Sequence, residues 1–565
     1  MTTTRPLCAN LAPDKTNCKK VARIACNKCF LVAYCNSECQ RSHKAAHKSS
    51  CKSSLRSKTW QPDWVLKNRI AAFFSDGPRQ MAYGGGKYLW GNVPAIDVLQ
   101  LEANEGGAYD GNLRLLFAAS GDLRNVIKTV AQLPESYTQT VEATLNDRDL
   151  DIVARNAILL LIALVMEDFD ASANCIIHVW YSAFLRKCDL DVLQQRIRPL
   201  IEEVCHKLTG QPADKLLAKT WTYGQRSLRL VLQKSAWDAL LAFTDTPKDL
   251  TTEQARKLRT NVTLAEDRVD FRDRHFFLQT PSHRVAMVRF REDGLLLPFG
   301  ASHVDFQHPN PTMFQDTERW PMKDDADPLH GWSSKDVQAA SNGPASDDIY
   351  GKLFVHVQTL LGAFLRRLSG LRASFQLFQM DASDVPGHLE AGSYTRIEVS
   401  NISDACYLGT HRTLHDMVPL LQSPAVNPHA TLITLSMNVV EENLTILERY
   451  AGLVADGPTW RQIQRYMPLP RRELDPNDPV VCKILAAQDC VTDYDVVFSR
   501  FSLMFGLFKS PWIVGAAMKR EHTVIEKWPF RLKLQPGQPG AQAEFNRLIG
   551  GGVSSKEFYL EWKRV

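Results

Sequence analysis

Seven cysteines and one histidine near the start of the chain restrict its folding more than any other feature. They follow the pattern C-x9-C-x7-C-x2-C-x5-C-x3-C-x7-H-x3-C, as Cys8, Cys18, Cys26, Cys29, Cys35, Cys39, His47 and Cys51. The other six of the thirteen cysteines are scattered, with no CxxC among them. Scattered cysteines read as reduced, whereas a dense cluster in a chain lacking a secretion signal reads as a metal site. Eight ligands make two tetrahedral zinc sites with none left over. Cys26 and Cys29 form a knuckle that can turn both thiolates toward one ion. Cys35 and Cys39 are four apart, as are His47 and Cys51, and on a helix such a pair shares one face. So short a segment buries too little apolar surface to fold unaided, so metal binding supplies its folding free energy.

The text "CNKCFLVAYCNSECQ" followed by "HKAAHKSSC" resembles the MYND-type zinc finger. The resemblance implies interleaved sites. Cys8, Cys18, Cys35 and Cys39 would hold one zinc, and Cys26, Cys29, His47 and Cys51 the other. His43 is a competing ligand with the poorer H-x7-C spacing. Two positions depart from the family. The first pair is usually C-x2-C, and here it encloses "ANLAPDKTN", a longer loop that adds only modest closure entropy. The family's peptide-gripping tryptophan is replaced by Lys44, although the neighbouring Gln40 is kept. The resemblance therefore implies protein partners, including proline-containing peptides, with a weakened grip. The module is also basic, with ten Lys/Arg against Asp14 and Glu38 over residues 1–55. It lacks the interleaved aromatics and recognition-helix spacing of a nucleic-acid binder, so the charge reads as a solvated face.

Bulk properties exclude other classes. At 565 residues the chain exceeds one ordinary core. Its 44% apolar and 23% charged content is globular, and a net charge of +5 is too mild to argue for nucleic acid. The longest apolar run, "AILLLIALVM" (157–166), is half a membrane span and reads as core. "MTTTRPLCAN" has no apolar signal core, so an intracellular protein is expected, cytoplasmic or nuclear. G-x-S-x-G, H-E-x-x-H and P-loop motifs do not occur. His178, in "CIIHVW", reads as a core histidine.

We expect a zinc finger over 1–55, a strap and linker over 56–94, and the first part of an α/β domain over 95–300. A Pro/Asp-rich loop region follows over 301–350, then the second part of the domain over 351–535 and a C-terminal tail over 536–565. The informative piece is "LRLLFAASGDLRNVIKTVAQLP". It reads as a strand, a Gly-Asp turn and a helix stopped by Pro134. "TVEATLNDRD" then reads as a strand with an acidic end, and "LDIVARNAILLLIAL" as a second helix. This βαβα order predicts a parallel sheet. Further strands are expected in "ASFQLFQMDA", "YTRIEVSNISD" and "HATLITLSMN". Ser400, Asn401 and Asp404, just past a strand end, read equally as pocket residues or as turn and cap residues.

This order resembles the start of a class I S-adenosylmethionine-dependent methyltransferase, a Rossmann-type doubly wound sheet with helical insertions. The resemblance implies Gly121 and Asp122 in the cofactor turn, and Asp147 or Asp149 on the ribose hydroxyls. One glycine stands where active enzymes generally have two or three, which argues against S-adenosylmethionine as a resident cofactor. Over residues 8–530 the text also resembles a fungal family that joins a MYND finger to an uncharacterised domain. That domain resembles the N-terminal region of a dynein axonemal assembly factor. The expected function is a zinc-binding adaptor that uses the finger and a degenerate methyltransferase-like domain for protein contacts or assembly. The alternative is an active methyltransferase whose finger recruits the substrate.

Overall fold

A computed structural model describes residues 6–11, 17–75, 83–470 and 474–565. The body is mixed α/β and is organised by one sheet of nine strands. In chain order they are β1 (Leu113–Phe117), β2 (Val141–Asp147), β3 (Leu216–Tyr223), β4 (Arg226–Gln233) and β5 (Ala373–Gln379). The last four are β6 (Arg396–Glu398), β7 (Thr431–Ser436), β8 (Ala516–Met518) and β9 (Phe558–Arg564).

Across the sheet the order is β8-β9-β7-β6-β1-β2-β5-β4-β3. The six strands from β7 to β4 run parallel. β9 is antiparallel to both of its neighbours, and β3 closes the other edge as a hairpin with β4. The sheet is buried on both faces. Leu113, Leu115 and Phe117 enter one apolar cluster, while Leu116 enters another. This two-sided burial explains why β1 reads as a near-continuous apolar run.

The expected βαβα unit forms. β1 leads into the helix Arg124–Ala131, which buries Val126, Ile127 and Val130 on one face. β2 leads into the helix Leu150–Val165, started by Asp149, whose carboxylate accepts from the Asp151 N–H at 2.9 Å. Every residue from Ile152 to Leu164 on that helix is buried, as its all-round apolar pattern requires. No helix among the described residues is long and apolar enough to cross a membrane. His178 is a buried core residue, with its Nδ1 3.2 Å from the Ser182 hydroxyl.

The segment expected to be a terminal tail is different. Residues 558–564 form β9, an inner strand with Trp562 fully buried. Its buried Glu561 accepts from the N–H groups of Thr523, Val524 and Ile525 and pairs with Lys519 at 3.0 Å. Those distant partners make a charged residue tolerable inside the sheet, and the local text carries no sign of them.

A second buried pair fixes the loop before β1. Arg396, at the start of β6, makes a bidentate contact with Glu105 at 2.7 and 2.8 Å, and both side chains are almost wholly buried. Removing one partner strands a buried charge. Glu105→Ala is expected to cost about 3–5 kcal/mol, read as a lowered urea midpoint.

Candidate metal centre and the carboxyl edge of the sheet

The described residues up to Cys51 form two short antiparallel strand pairs and two helices around two ligand clusters. Leu7–Leu11 pairs with Asn17–Val21, and this register sets Cys8 opposite Cys18. Ile24–Ala25 pairs with Ala33–Tyr34. The knuckle between them is closed by Phe30 N–H donating to the Cys26 carbonyl at 2.9 Å, with Phe30 in the left-handed region at φ 52°. Asn36 then caps the helix Ser37–Ser42 by accepting from the Cys39 N–H at 2.9 Å. The helix Lys44–Cys51 carries His47 and Cys51 one turn apart.

Two groups of ligand atoms result. Cys8, Cys18, Cys35 and Cys39 form one, and Cys26, Cys29, His47 and Cys51 the other, each with its atoms within 4.8 Å of one another. A tetrahedral Zn2+ with Zn–S of about 2.3 Å needs ligands about 3.8 Å apart. The sulfurs of Cys26 and Cys51 are 3.8 Å apart, and those of Cys35 and Cys39 are 3.5 Å apart. His47 Nε2 lies 3.2 Å from the Cys29 sulfur. The donor sets therefore fit two zinc ions. His43 is engaged elsewhere, with its Nδ1 3.2 Å from the Tyr34 hydroxyl.

One local expectation is corrected. Cys35 and Cys39 do not share a helix, because Asn36 between them is extended at φ −157° and starts the helix after Cys35. The pair grips across a helix cap instead.

Burial shapes the chemistry of the second cluster. It pushes the Cys29 thiol up to about 12 and the His47 imidazole down to about 4. The histidine is therefore neutral at pH 7, as a metal ligand must be. The thiol needs the charge of a bound cation to ionise. The finger is anchored to the body. The Ser282 hydroxyl donates to the Cys29 carbonyl at 2.9 Å, and the Asp347 N–H donates to the Phe30 carbonyl at 3.1 Å. Arg284 reaches the carbonyls of Leu55 and Ser57 at 3.1 and 3.2 Å. Leu31, Val32 and Tyr34 join the main apolar core, while Gln40 stays half-buried and Lys44 exposed.

The second candidate site is the carboxyl edge of the sheet, where the strand order reverses between β1 and β6. Open α/β sheets bind ligands at such a point. Here each of the four sequence candidates is engaged by its own chain. The Asp147 carboxylate accepts from the Gly121 N–H at 3.2 Å, and Gly121 adopts φ 58° to present it. Asp122 accepts from the Gly91 N–H at 2.8 Å and pairs with Arg124 Nε at 2.6 Å. Asp149 caps its helix and lies 3.4 Å from Lys87 Nζ. Lys87 and Gly91 belong to the segment expected to be linker. Its residues 83–94 lie against this edge through Lys87 and Gly91, while residues 76–82 fall outside the described residues. Asp404 Oδ2 accepts from the N–H groups of Met437 and Asn438 at 3.1 and 3.2 Å, while its Oδ1 is buried without a hydrogen-bond partner among the described residues.

Sequence reading missed Glu398, the last residue of β6. It is buried at the reversal point and accepts from the Ser400 N–H at 2.7 Å. Burial pushes its carboxyl up to about 7. The signal available was an acid inside an apolar strand, "RIEV".

Comparison with protein families matches residues 16–51 to the MYND finger and residues 89–185 to a domain of unknown function (DUF4470). The first match, with the two ligand clusters, marks the N-terminal module as a zinc-binding finger of MYND type. The second covers β1, β2 and the helices that follow them. Comparison with curated proteins and with solved structures gives no match.

Elemental analysis is expected to find two zinc ions per chain, falling to about one in Cys18→Ser with the Cys26 site retained. A second expectation concerns pH. The Glu398 pKa is raised on folding, so its contribution to stability is complete below the ordinary glutamate value and is lost as pH rises through about 7. Glu398→Gln should flatten the fall in urea midpoint across that window.

Proposed function

We propose that this protein is a zinc-binding interaction protein. Its MYND finger engages protein partners, and a degenerate methyltransferase-like body serves as a scaffold for contact or assembly. One observation carries this reading. Gly121, Asp122, Asp147 and Asp149 are all hydrogen-bonded or ion-paired within the chain, beneath the 83–94 segment. A cofactor would have to displace each of those partners. The order β5-β2-β1-β6-β7 supports the Rossmann-type reading. With the β3–β4 hairpin counted as an insertion, it is the doubly wound order 3-2-1-4-5. The resemblance to fungal MYND proteins and to a dynein axonemal assembly factor supports an assembly role inside the cell. Partners would meet the finger on the side of Gln40 and Lys44, where lysine in place of tryptophan weakens the hold on proline-containing peptides.

The same strand order favours the competing reading, an active S-adenosylmethionine-dependent methyltransferase. Calorimetric titration of S-adenosylmethionine into the zinc-loaded full chain separates the two. The scaffold reading expects no binding at millimolar cofactor. Micromolar binding abolished by Asp147→Ala would overturn the scaffold-only reading.

A further inference from the structure

A cavity of about 420 Å³ is lined by no zinc ligand and by none of Gly121, Asp122, Asp147 and Asp149, although its His330 and Gly552 also border the space beside Lys87 and Gly91. It is enclosed by the helices Val269–Phe277, Pro281–Asp293 and Ser334–Ala339, the first turn of Ile349–Gly370, and the helix Ala541–Ile549 with its Gly550–Gly552 turn. Its size falls in the range of small-molecule sites.

The wall is unusual in its charge and in its unused hydrogen-bonding groups. Lys352 and Arg547 line it, and no aspartate or glutamate does. Arg547 makes no ion pair or side-chain hydrogen bond among the described residues, and neither do the rings of His283 and His330. Lys352 Nζ donates to the Gln338 carbonyl at 2.8 Å. Arg547, His283 and His330 are each half-buried, so their free donors remain available to a ligand in this cavity.

The electrostatics give the sign of that ligand. Two cations face the space. Thr280 and His283 bring in the N-terminal end of the helix Pro281–Asp293, the positive end of its dipole. Burial holds His275 down at about 3 and His283 at about 4, so both offer a neutral ring with one donor and one acceptor at pH 7. Asp347 acts on His283 from outside the lining. Leu278, Met287, Leu329, Val337 and Ile349 supply an apolar wall beside these groups. The Gly550–Gly552 turn closes tightly on the cavity. A Cβ on Gly552 would stand 1.9 Å from the His330 ring, so only glycine lets the backbone approach there.

We propose that this cavity binds a small organic anion, its phosphate or carboxylate held by Arg547, Lys352, His283 and His330, and its apolar body against Leu278, Met287 and Ile349. The site is independent of the scaffold reading, because none of Gly121, Asp122, Asp147 and Asp149 lines the cavity.

The test is calorimetry on the zinc-loaded full chain with three probes: octyl phosphate, octanoate and neutral octanol. At least one anion is expected to bind below about 1 mM and octanol not to bind. The anion that binds identifies the head group. The double variant Arg547→Ala/Lys352→Ala is expected to weaken that binding at least about tenfold. Zinc content should be unchanged and the fall in urea midpoint small, because Lys352 loses only its hydrogen bond to the Gln338 carbonyl. Absence of binding by either anion, equal binding of octanol, or undiminished binding by the double variant would overturn the proposal.

Discussion

Strand β1 pairs in parallel with β2 on one side and with β6 on the other, and the body is organised around that pairing. Parallel neighbours cannot be joined by a tight turn, so each step demands a long crossover. The crossover from β2 to β5 has absorbed much of the chain. It holds the β3–β4 hairpin, the helix Pro281–Asp293 that anchors the finger, and most of the wall of the anion cavity. The insertion leaves the β5-β2-β1-β6-β7 order intact, because β4 adds to the outer edge of β5 as the sixth parallel strand.

The same pairing brings the carboxyl ends of β1, β2 and β6 to one edge, where a ligand crevice would form. In this chain the turn after β1 is held against the end of β2. Ala119 N–H donates to the Asn146 side chain at 3.2 Å, Ser120 N–H to the Asn146 carbonyl at 2.8 Å and Gly121 N–H to Asp147. The 83–94 segment covers the edge through Lys87 and Gly91. An acid placed to bind hydroxyl groups is thereby turned onto its own backbone.

The finger is oriented by two different forces. Its interior depends on ligand geometry, since the cysteines and His47 can meet only around cations. Its placement depends on apolar burial of Leu31, Val32 and Tyr34 in the core of the body, reinforced by hydrogen bonds from Ser282 and Arg284. The result leaves Gln40 and Lys44 on the outward side.

Much of this was legible in the text. The ligand spacing gave eight ligands and so two sites, because metal chemistry demands particular residue types at short separations, and the MYND resemblance implied which four share each ion. The alternation of strand and helix patterns through β1 and β2 announced a parallel sheet, because a parallel neighbour needs a long crossover. Other features were decided only by the tertiary structure. β9, with Glu561 buried inside it, read as a tail, and Asp147 read as a ribose ligand. Asn36 broke the helix expected to join Cys35 to Cys39, and Glu398 passed unnoticed inside its strand. In three of these four a polar group takes its meaning from a partner, and for Glu561 and Asp147 that partner lies far away in sequence. The sequence by itself determined which metal this chain can hold and which strands it can form. Folding alone decided whether each acid faces a ligand or its own backbone, because hydrogen-bond partners are assigned by proximity in space.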